Sequence, residues 1–279
     1  MSSNGTHDSQ KSGDAAASSK LVSKCNQLAR HFNVICNTLV YTDGRDKSMK
    51  TIQYTLSVLM ITVLRKHKIL PHLHASINGI MSMFGDARKV VRLANFTGFF
   101  SKLVYLVQGR GFSPYQTLTP IDDRHYPLLI IKTASEFLNA ITDDLFCLSR
   151  FNVIDKELGT NAKQLSIKLW WTSLSIDFYL NLLKFTSCKS NLAIATAKTN
   201  SSEKSNEDTD IKQPNIAELN AQLYNFKLNL VKVFSDMIFC GYDLFHIKSN
   251  LEYMHFAAVV SGFIGYYRLW VKTNLATKA

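Results

Sequence analysis

Glycine and proline are scarce in this chain, at 12 and 5 of 279 residues, and the apolar stretches between them are long. That scarcity argues against many short strands joined by tight turns and leaves helices as the expected element. The five cysteines, Cys25, Cys36, Cys147, Cys188 and Cys240, are odd in number and form neither a CxxC pair nor a zinc-ligand spacing. No disulfide framework is expected, and a reducing compartment fits best. Residues 1–20 are rich in Ser, Gly, Ala and Asp with no apolar run, so a disordered tail is expected there and a secretory leader is not. Also missing are a phosphate-cradling glycine loop, a nucleophile elbow and a zinc-protease helix. His72-x-His74 has no placed third ligand, and the pairs Asp122-Asp123 and Asp143-Asp144 are adjacent, so they point apart and read as solvated or capping charges. The expectation is no enzyme, no metal and no cofactor.

What is present is apolar and basic. Hydrophobic residues make up 46% of the chain, enough for a sizeable core, and Lys plus Arg exceed Asp plus Glu by 32 to 21. The resulting charge of +11 points to an anionic partner, phospholipid or nucleic acid. The basic residues are not gathered on a recognisable reading module and are flanked by Phe and Leu, so phospholipid is favoured and nucleic acid is not expected.

The fold class expected is all-α. Residues 21–110 read as an N-terminal helical region, with one helix over 21–42 and a second over 45–66 in which Thr51 to Leu64 carries no charge. A Pro-containing loop follows at 111–127, then central helices over 128–188. There Ile167, Trp170, Trp171, Leu174 and Phe178 share one side. The polar stretch 189–215 reads as a flexible linker. Residues 216–279 return to helix, with a membrane-span candidate at 251–271.

The most informative segment is 86–108, expected as one helix about 33 Å long opened by Asp86. Arg88, Arg92, Asn95 and Lys102 gather on one side of it, and Val90, Leu93, Phe96, Phe100, Leu103, Val104 and Val107 on the other. From Ala87 to Ile121 there are five basic residues, Lys89 among them, and no acidic one. A helix with a basic face of Arg88, Lys89, Arg92 and Lys102 and an apolar face rich in Phe and Leu suits the headgroup plane of an anionic bilayer. The same pattern also suits a surface helix with its apolar face on a protein core. Gly98, in mid-segment, weakens the helix by about 1 kcal/mol relative to Ala.

In the terminal region, Tyr253 to Tyr267 runs fifteen residues without Asp, Glu, Lys or Arg. That is short of the roughly 17–25 residues of a full crossing, unless Glu252 and Arg268 reach the interfaces. Tyr266, Tyr267 and Trp270 are placed like an interfacial aromatic belt. Ala258 with Gly262, and Ser261 with Gly265, form small-xxx-small pairs of the kind that permit self-association in a bilayer. A terminal helix packed in a soluble bundle is the competing reading.

Gly44-Arg45-Asp46-Lys47, followed by Gln53-Tyr54, resembles the N-terminal signature of the peroxin-11 family of peroxisomal membrane elongation proteins. Arg88-Lys89-Val90-Val91-Arg92-Leu93 is similar to the family's RKxxRL stretch, and Gly262 to Trp270 to its G-x-x-G-x-Y-x-x-W end. Ala94-Asn95 stands where many members have Gly and Lys. The terminal residues 276–279 are not the Ser-Lys-Leu address of peroxisomal matrix proteins. The resemblance implies a protein of the peroxisomal membrane, or of its glycosomal counterpart, that self-associates, inserts an amphipathic helix, elongates the membrane and prepares it for the organelle fission machinery. The alternative it implies is an oligomeric small-metabolite channel.

Overall fold

The computed structural model of the chain describes residues 24, 27–64, 71–108, 125–202 and 216–276, and all secondary structure among them is helical. Helix α1 covers 27–40. It is followed by α2 (Thr42–Leu59) with a π-helical end (Met60–Leu64), α3 (Pro71–Val91), α4 (Phe96–Val107), α5 (Tyr126–Arg150), α6 (Lys156–Ser202), α7 (Ile216–Leu244) and α8 (Leu251–Ala276). The expected tail at 1–20, most of the Pro-containing loop at 111–127 and the latter part of the expected linker lie outside the described residues.

Several helix ends have a local cause. Tyr126 opens α5 with Pro127 in its first turn, where a missing N–H costs nothing. Asn152 closes the turn after α5 in the left-handed region at φ 57°, which Asn tolerates. Asp155 then starts α6 by accepting the backbone N–H groups of Glu157 and Leu158 at 2.8 and 3.2 Å. His246 and Asn250, both at positive φ, turn the chain from α7 into α8.

Neighbouring helices run antiparallel in a closed circuit. α2 packs on α3, α5 on α6, α6 on α7, α7 on α8 and α8 back on α2, while α3 touches α5 to complete the ring. α4 lies against α5, bent away from the line of α3. One apolar core sits between α6 and α7, where Leu174, Val233 and Cys240 are buried under Ile167, Trp170, Trp171, Phe178 and Met237. The side of α6 expected from sequence to be apolar is therefore the side that packs.

Polarity is partly inverted elsewhere. Thr133, Ser135, Thr142, Ser149, Ser173, Ser235, Asp236 and Ser261 are buried, whereas Phe32, Phe234, Tyr253, Phe256 and Phe263 are more than half exposed. Many of the buried hydroxyls donate to the carbonyl one turn back, as Thr133 does to Leu129, so their polarity is satisfied within the helix. Exposed apolar residues are ordinary singly, but here they accompany buried hydroxyls and a buried carboxylate.

Three expectations change here. The segment 86–108 is not one helix: residues 92–95 form turns, and Ala94 takes φ 63°. The cause lies on α5, where Asp144 accepts the Ala94 N–H at 2.9 Å and Asp143 holds Arg92 at 3.4 Å. Helix α6 runs to Ser202, through the first half of the expected linker, because its Leu192, Ile194 and Ala195 keep a helical spacing amid the polar residues. Finally, α8 spans Leu251–Ala276 as a helix, but among the described residues no single helix is long and apolar enough to cross a membrane.

Gly44 shows how tightly the first helices meet. A Cβ placed there would lie 1.9 Å from the Thr38 carbonyl oxygen, so the turn from α1 into α2 admits only glycine. Gly98 of α4 faces open space. We expect Gly44→Ala to destabilise the chain by about 1–3 kcal/mol, as overpacking does. Gly98→Ala should stabilise it by roughly 1 kcal/mol. Denaturant unfolding of both variants checks this, and equal midpoints would refute the assignment.

Candidate functional site

The residues of the N-terminal motif do not act separately. Arg45 donates from Nε to the Leu39 carbonyl at 2.7 Å, tying α2 back to the end of α1. Asp46 reaches across to α3, where it lies 3.0 Å from Arg88 Nε and 3.5 Å from Arg92 Nε. Gln53 accepts from Arg88 Nη1 at 3.0 Å, and the Arg88 guanidinium stands 6.0 Å from the centre of the Tyr54 ring. Two stretches far apart in sequence thus form one cluster. Arg88, with a side chain only 12% exposed, is its centre. A guanidinium suits this position because its planar fork can donate in two directions and lie near an aromatic ring.

Beside this cluster the ring of helices encloses a cavity of about 480 Å³. It is lined from α2, α3, α5, α6, α7 and α8, and its walls are strongly charged. At one wall Asp236 of α7 is nearly fully buried and receives Lys50 of α2 at 2.8 Å and Lys232 at 3.0 Å. The Ser261 hydroxyl of α8 donates to the same carboxylate, and Lys50 also donates to Ser261 at 3.0 Å. Burial opposes ionisation of Asp236, but Lys50 and Lys232 together outweigh it and hold the carboxyl well below its usual range. Burial also pulls the Lys50 ammonium below its ordinary value, against Asp236. A second polar cavity of about 420 Å³ lies further along the same bundle, lined by Lys132, Glu136, Asp177, Asn181, Asn229 and Arg268.

The residues expected to bind a membrane divide between two surfaces. Arg88, Lys89 and Arg92 line the cavity instead of facing outwards, because Asp46 and Asp143 draw the arginines in and the Lys89 ammonium sits 4.8 Å above the Phe146 ring. Lys102 is half-buried near the Phe99 ring at 5.0 Å and borders the second cavity. On the apolar side, Leu93, Phe100, Val104 and Val107 are exposed, Val107 by 68%. Phe96 and Leu103 are half-buried, with Phe96 packed against Phe137 of α5. Upstream, Leu73, Ile80, Met83 and Val90 of α3 extend the exposed apolar surface.

The small residues of α8 point inwards. Ala258 and Ser261 are fully buried, a Cβ at Gly262 would come within 3.0 Å of Thr51 Oγ1, and Gly265 faces the Lys47 side chain. Where the small-xxx-small spacing suggested contact between copies, the structure uses it to seat α8 on α2 of the same chain. The residues that sequence reasoning missed are Asp236, Lys232, Lys163 and Arg150. Asp236 had a legible signal, a lone acid within Val233-Phe234-Ser235-Asp236-Met237-Ile238-Phe239, since an acid in an apolar helix needs a buried partner.

We expect Asp236→Asn to cost about 3–5 kcal/mol, because two ammonium groups lose their shared counter-charge. Lys50→Met added to Asp236→Asn should recover part of that loss. The linkage sign follows from the depressed carboxyl. Its stabilisation is complete above about pH 4, the ordinary range of an unfolded Asp, and is lost as pH falls towards the folded value. Thermal unfolding of wild type and variants between neutral and acid pH checks both, and an Asp236→Asn midpoint equal to wild type would refute the assignment.

No curated protein and no solved structure matches the chain. Residues 32–270 match the family described as Peroxisomal biogenesis factor 11 (PEX11), a region that takes in α2 to α7, nearly all of α8 and the whole ring around the cavity. With its motifs gathered around Arg88 and its match running through the closing helix, the chain belongs to the Peroxisomal biogenesis factor 11 family.

Proposed function

We propose that this peroxisomal biogenesis factor acts at the peroxisomal membrane, where the outer face of α3 and α4 inserts shallowly, elongates the membrane and prepares it for fission. The observation that carries this reading is the run of exposed apolar side chains Ile80, Met83, Val90, Leu93, Phe100, Val104 and Val107. α3 and α4 together are apolar enough to pass as a membrane segment, but they bend by 43° between them. α4 is backed by α5 and α3 by α2, so one face reaches lipid and the other stays with protein. A segment held in that way enters one leaflet. It expands the headgroup area there and favours outward curvature.

Charge plays a smaller part than the sequence suggests. A basic residue near an anionic surface contributes about 1 kcal/mol, and Arg88 and Arg92 are engaged by carboxylates inside the ring. Burying a large apolar side chain contributes roughly 1.5–3 kcal/mol. Insertion therefore dominates, and anionic phospholipid adds attraction through the net charge of +11. Self-association, which would concentrate wedges along a tubule, has to use a surface other than Ala258, Ser261, Gly262 and Gly265, which are occupied within the chain.

The test is purified full-length protein on liposomes. Wild type should tubulate them, and replacing Val90, Phe100 and Val104 together by Ser should abolish tubulation while leaving helicity intact. Anionic vesicles should be preferred over neutral ones by roughly fivefold for each free basic residue that reaches the surface, at about 1 kcal/mol apiece. Tubulation by the triple variant equal to wild type would sink the wedge.

A second reading, a path for small solutes, draws on the two polar cavities that succeed one another along the bundle. Planar-bilayer recording decides it. Conductance that changes with Lys132→Met, a second-cavity residue, supports a path through the bundle, and a silent membrane with well-incorporated protein rejects it.

A further inference from the structure

The cavity wall holds eight Lys and Arg side chains against four Asp. Most of the cations are matched: Lys50 and Lys232 share Asp236, Arg88 and Arg92 share Asp46, Arg92 also meets Asp143, and Lys47 takes Asp43. Three more lie together at the end of the cavity where α3, α5 and α6 meet, and two of them, Lys89 and Lys163, have no paired carboxylate among the described residues. Lys89 and Lys163 come from α3 and α6 to the same Phe146 ring, at 4.8 and 5.8 Å from its centre. Among the described residues, no carboxylate lies within ion-pair distance of either. Arg150 completes the group. Its Nε is 2.7 Å from Asp86 Oδ1, but that oxygen has no hydrogen-bond partner, so the contact is a charge contact out of line with the N–H.

We propose that this end of the cavity, bounded by Lys89, Phe146, Arg150 and Lys163, binds the phosphate groups of a small phosphorylated compound. Cations gathered beside low-dielectric walls focus a positive potential, and leaving them unmatched is costly unless an anion or water answers them. Of the carboxylates that face the group, Asp143 is held by Arg92 and Asp86 answers Arg150, while Asp243 lines the wall beyond ion-pair distance of the lysines, so Lys89 and Lys163 keep their charge without a paired carboxylate. Lysine and arginine together suit a phosphate ester, the ammonium groups as point charges and the guanidinium as a fork. A cavity of about 480 Å³ has the size of a metabolite site. Lys163 and Arg150 are exposed, so the ligand has a way in. The same groups would accept either a soluble organic phosphate or the phosphorylated headgroup of a lipid. The assignment is independent of the membrane wedge, which lies on the outer face of α3 and α4.

The experiment is titration calorimetry on the full-length protein with inorganic pyrophosphate and with ATP at low ionic strength. A parallel arm measures binding to vesicles containing a phosphatidylinositol phosphate. Saturable binding with one site per chain is expected. The double variant Lys89→Gln, Lys163→Gln should weaken it by at least roughly tenfold, the effect of losing one charge-assisted contact. Lys248→Gln, on the exposed turn before α8, should leave it unchanged. Without ligand, the double variant should melt at the same temperature as wild type or higher, since it removes two cations that no carboxylate answers. A lower melting temperature would make the lysines props for Phe146 and overturn the proposal. So would equal weakening by Lys248→Gln, or failure of every probe to bind. Binding confined to the vesicle arm and dependent on Lys89 and Lys163 would identify the ligand as a lipid headgroup, and binding of ATP or pyrophosphate would identify it as soluble.

Discussion

A single buried carboxylate holds the ring of helices together. Asp236 of α7 receives Lys50 of α2 and Ser261 of α8, so three elements that are distant in sequence are fixed at one point. Desolvating an ion is expensive, and only the convergence of two ammonium groups and a hydroxyl makes the ionised form the stable one. Such a network adds less to net stability than an apolar cluster of the same volume would. It does, however, discriminate strongly between arrangements. Any slip of α8 along α2 would take the Ser261 hydroxyl away from Lys50 and Asp236, and the close seats of Gly262 on Thr51 and Gly265 on Lys47 would be lost with it.

The Arg88 cluster does the same between α2 and α3. Asp46 and Gln53 fix the guanidinium, and Asp46 with Asp143 fixes Arg92 one turn on. The last turn of α3 is thereby pinned to α2 and α5. Asp144, taking the Ala94 N–H, then breaks the helix at that place and sets the start of α4. The bend in the outer apolar surface therefore follows from charges on the inner side. Polar contacts inside the ring determine the angle at which apolar side chains are presented outside it.

Much of the fold was legible in the sequence. Helical periodicity located α5, α7 and α8, and the apolar side of α6 was read from Ile167, Trp170, Trp171, Leu174 and Phe178. What could not be read was the partner of each charge. Helical spacing says that Arg88 and Arg92 share a side, but a basic side can face headgroups or buried carboxylates equally well. The carboxylates concerned, Asp46 and Asp143, lie in other helices. The break at Ala94 was hidden for the same reason, since nothing in Leu93-Ala94-Asn95-Phe96 stops a helix without Asp144 opposite. The small residues of α8 are spaced for close helix approach, but spacing cannot tell whether the approaching helix belongs to the same chain, as it does here, or to a second copy.

This division of labour bears on the proposed membrane role, since among the described residues no single helix is long and apolar enough to cross a membrane. A spanning helix must be apolar around its whole circumference, whereas a helix in this ring needs only an apolar outer face, because its inner face meets Lys, Asp, Ser and Thr from its neighbours. Averaging along such a helix dilutes the outer face with the inner one. α8, with Phe256, Phe263 and Tyr267 exposed and Ala258 and Ser261 buried, is therefore not long and apolar enough to cross a membrane while still presenting large apolar side chains outwards. On the other helices, the charges that lower the mean hydropathy, Lys50, Arg88 and Asp236 among them, are the ones that close the ring. Removing them to make the helices more apolar would take away the contacts that aim α3 and α4 outwards.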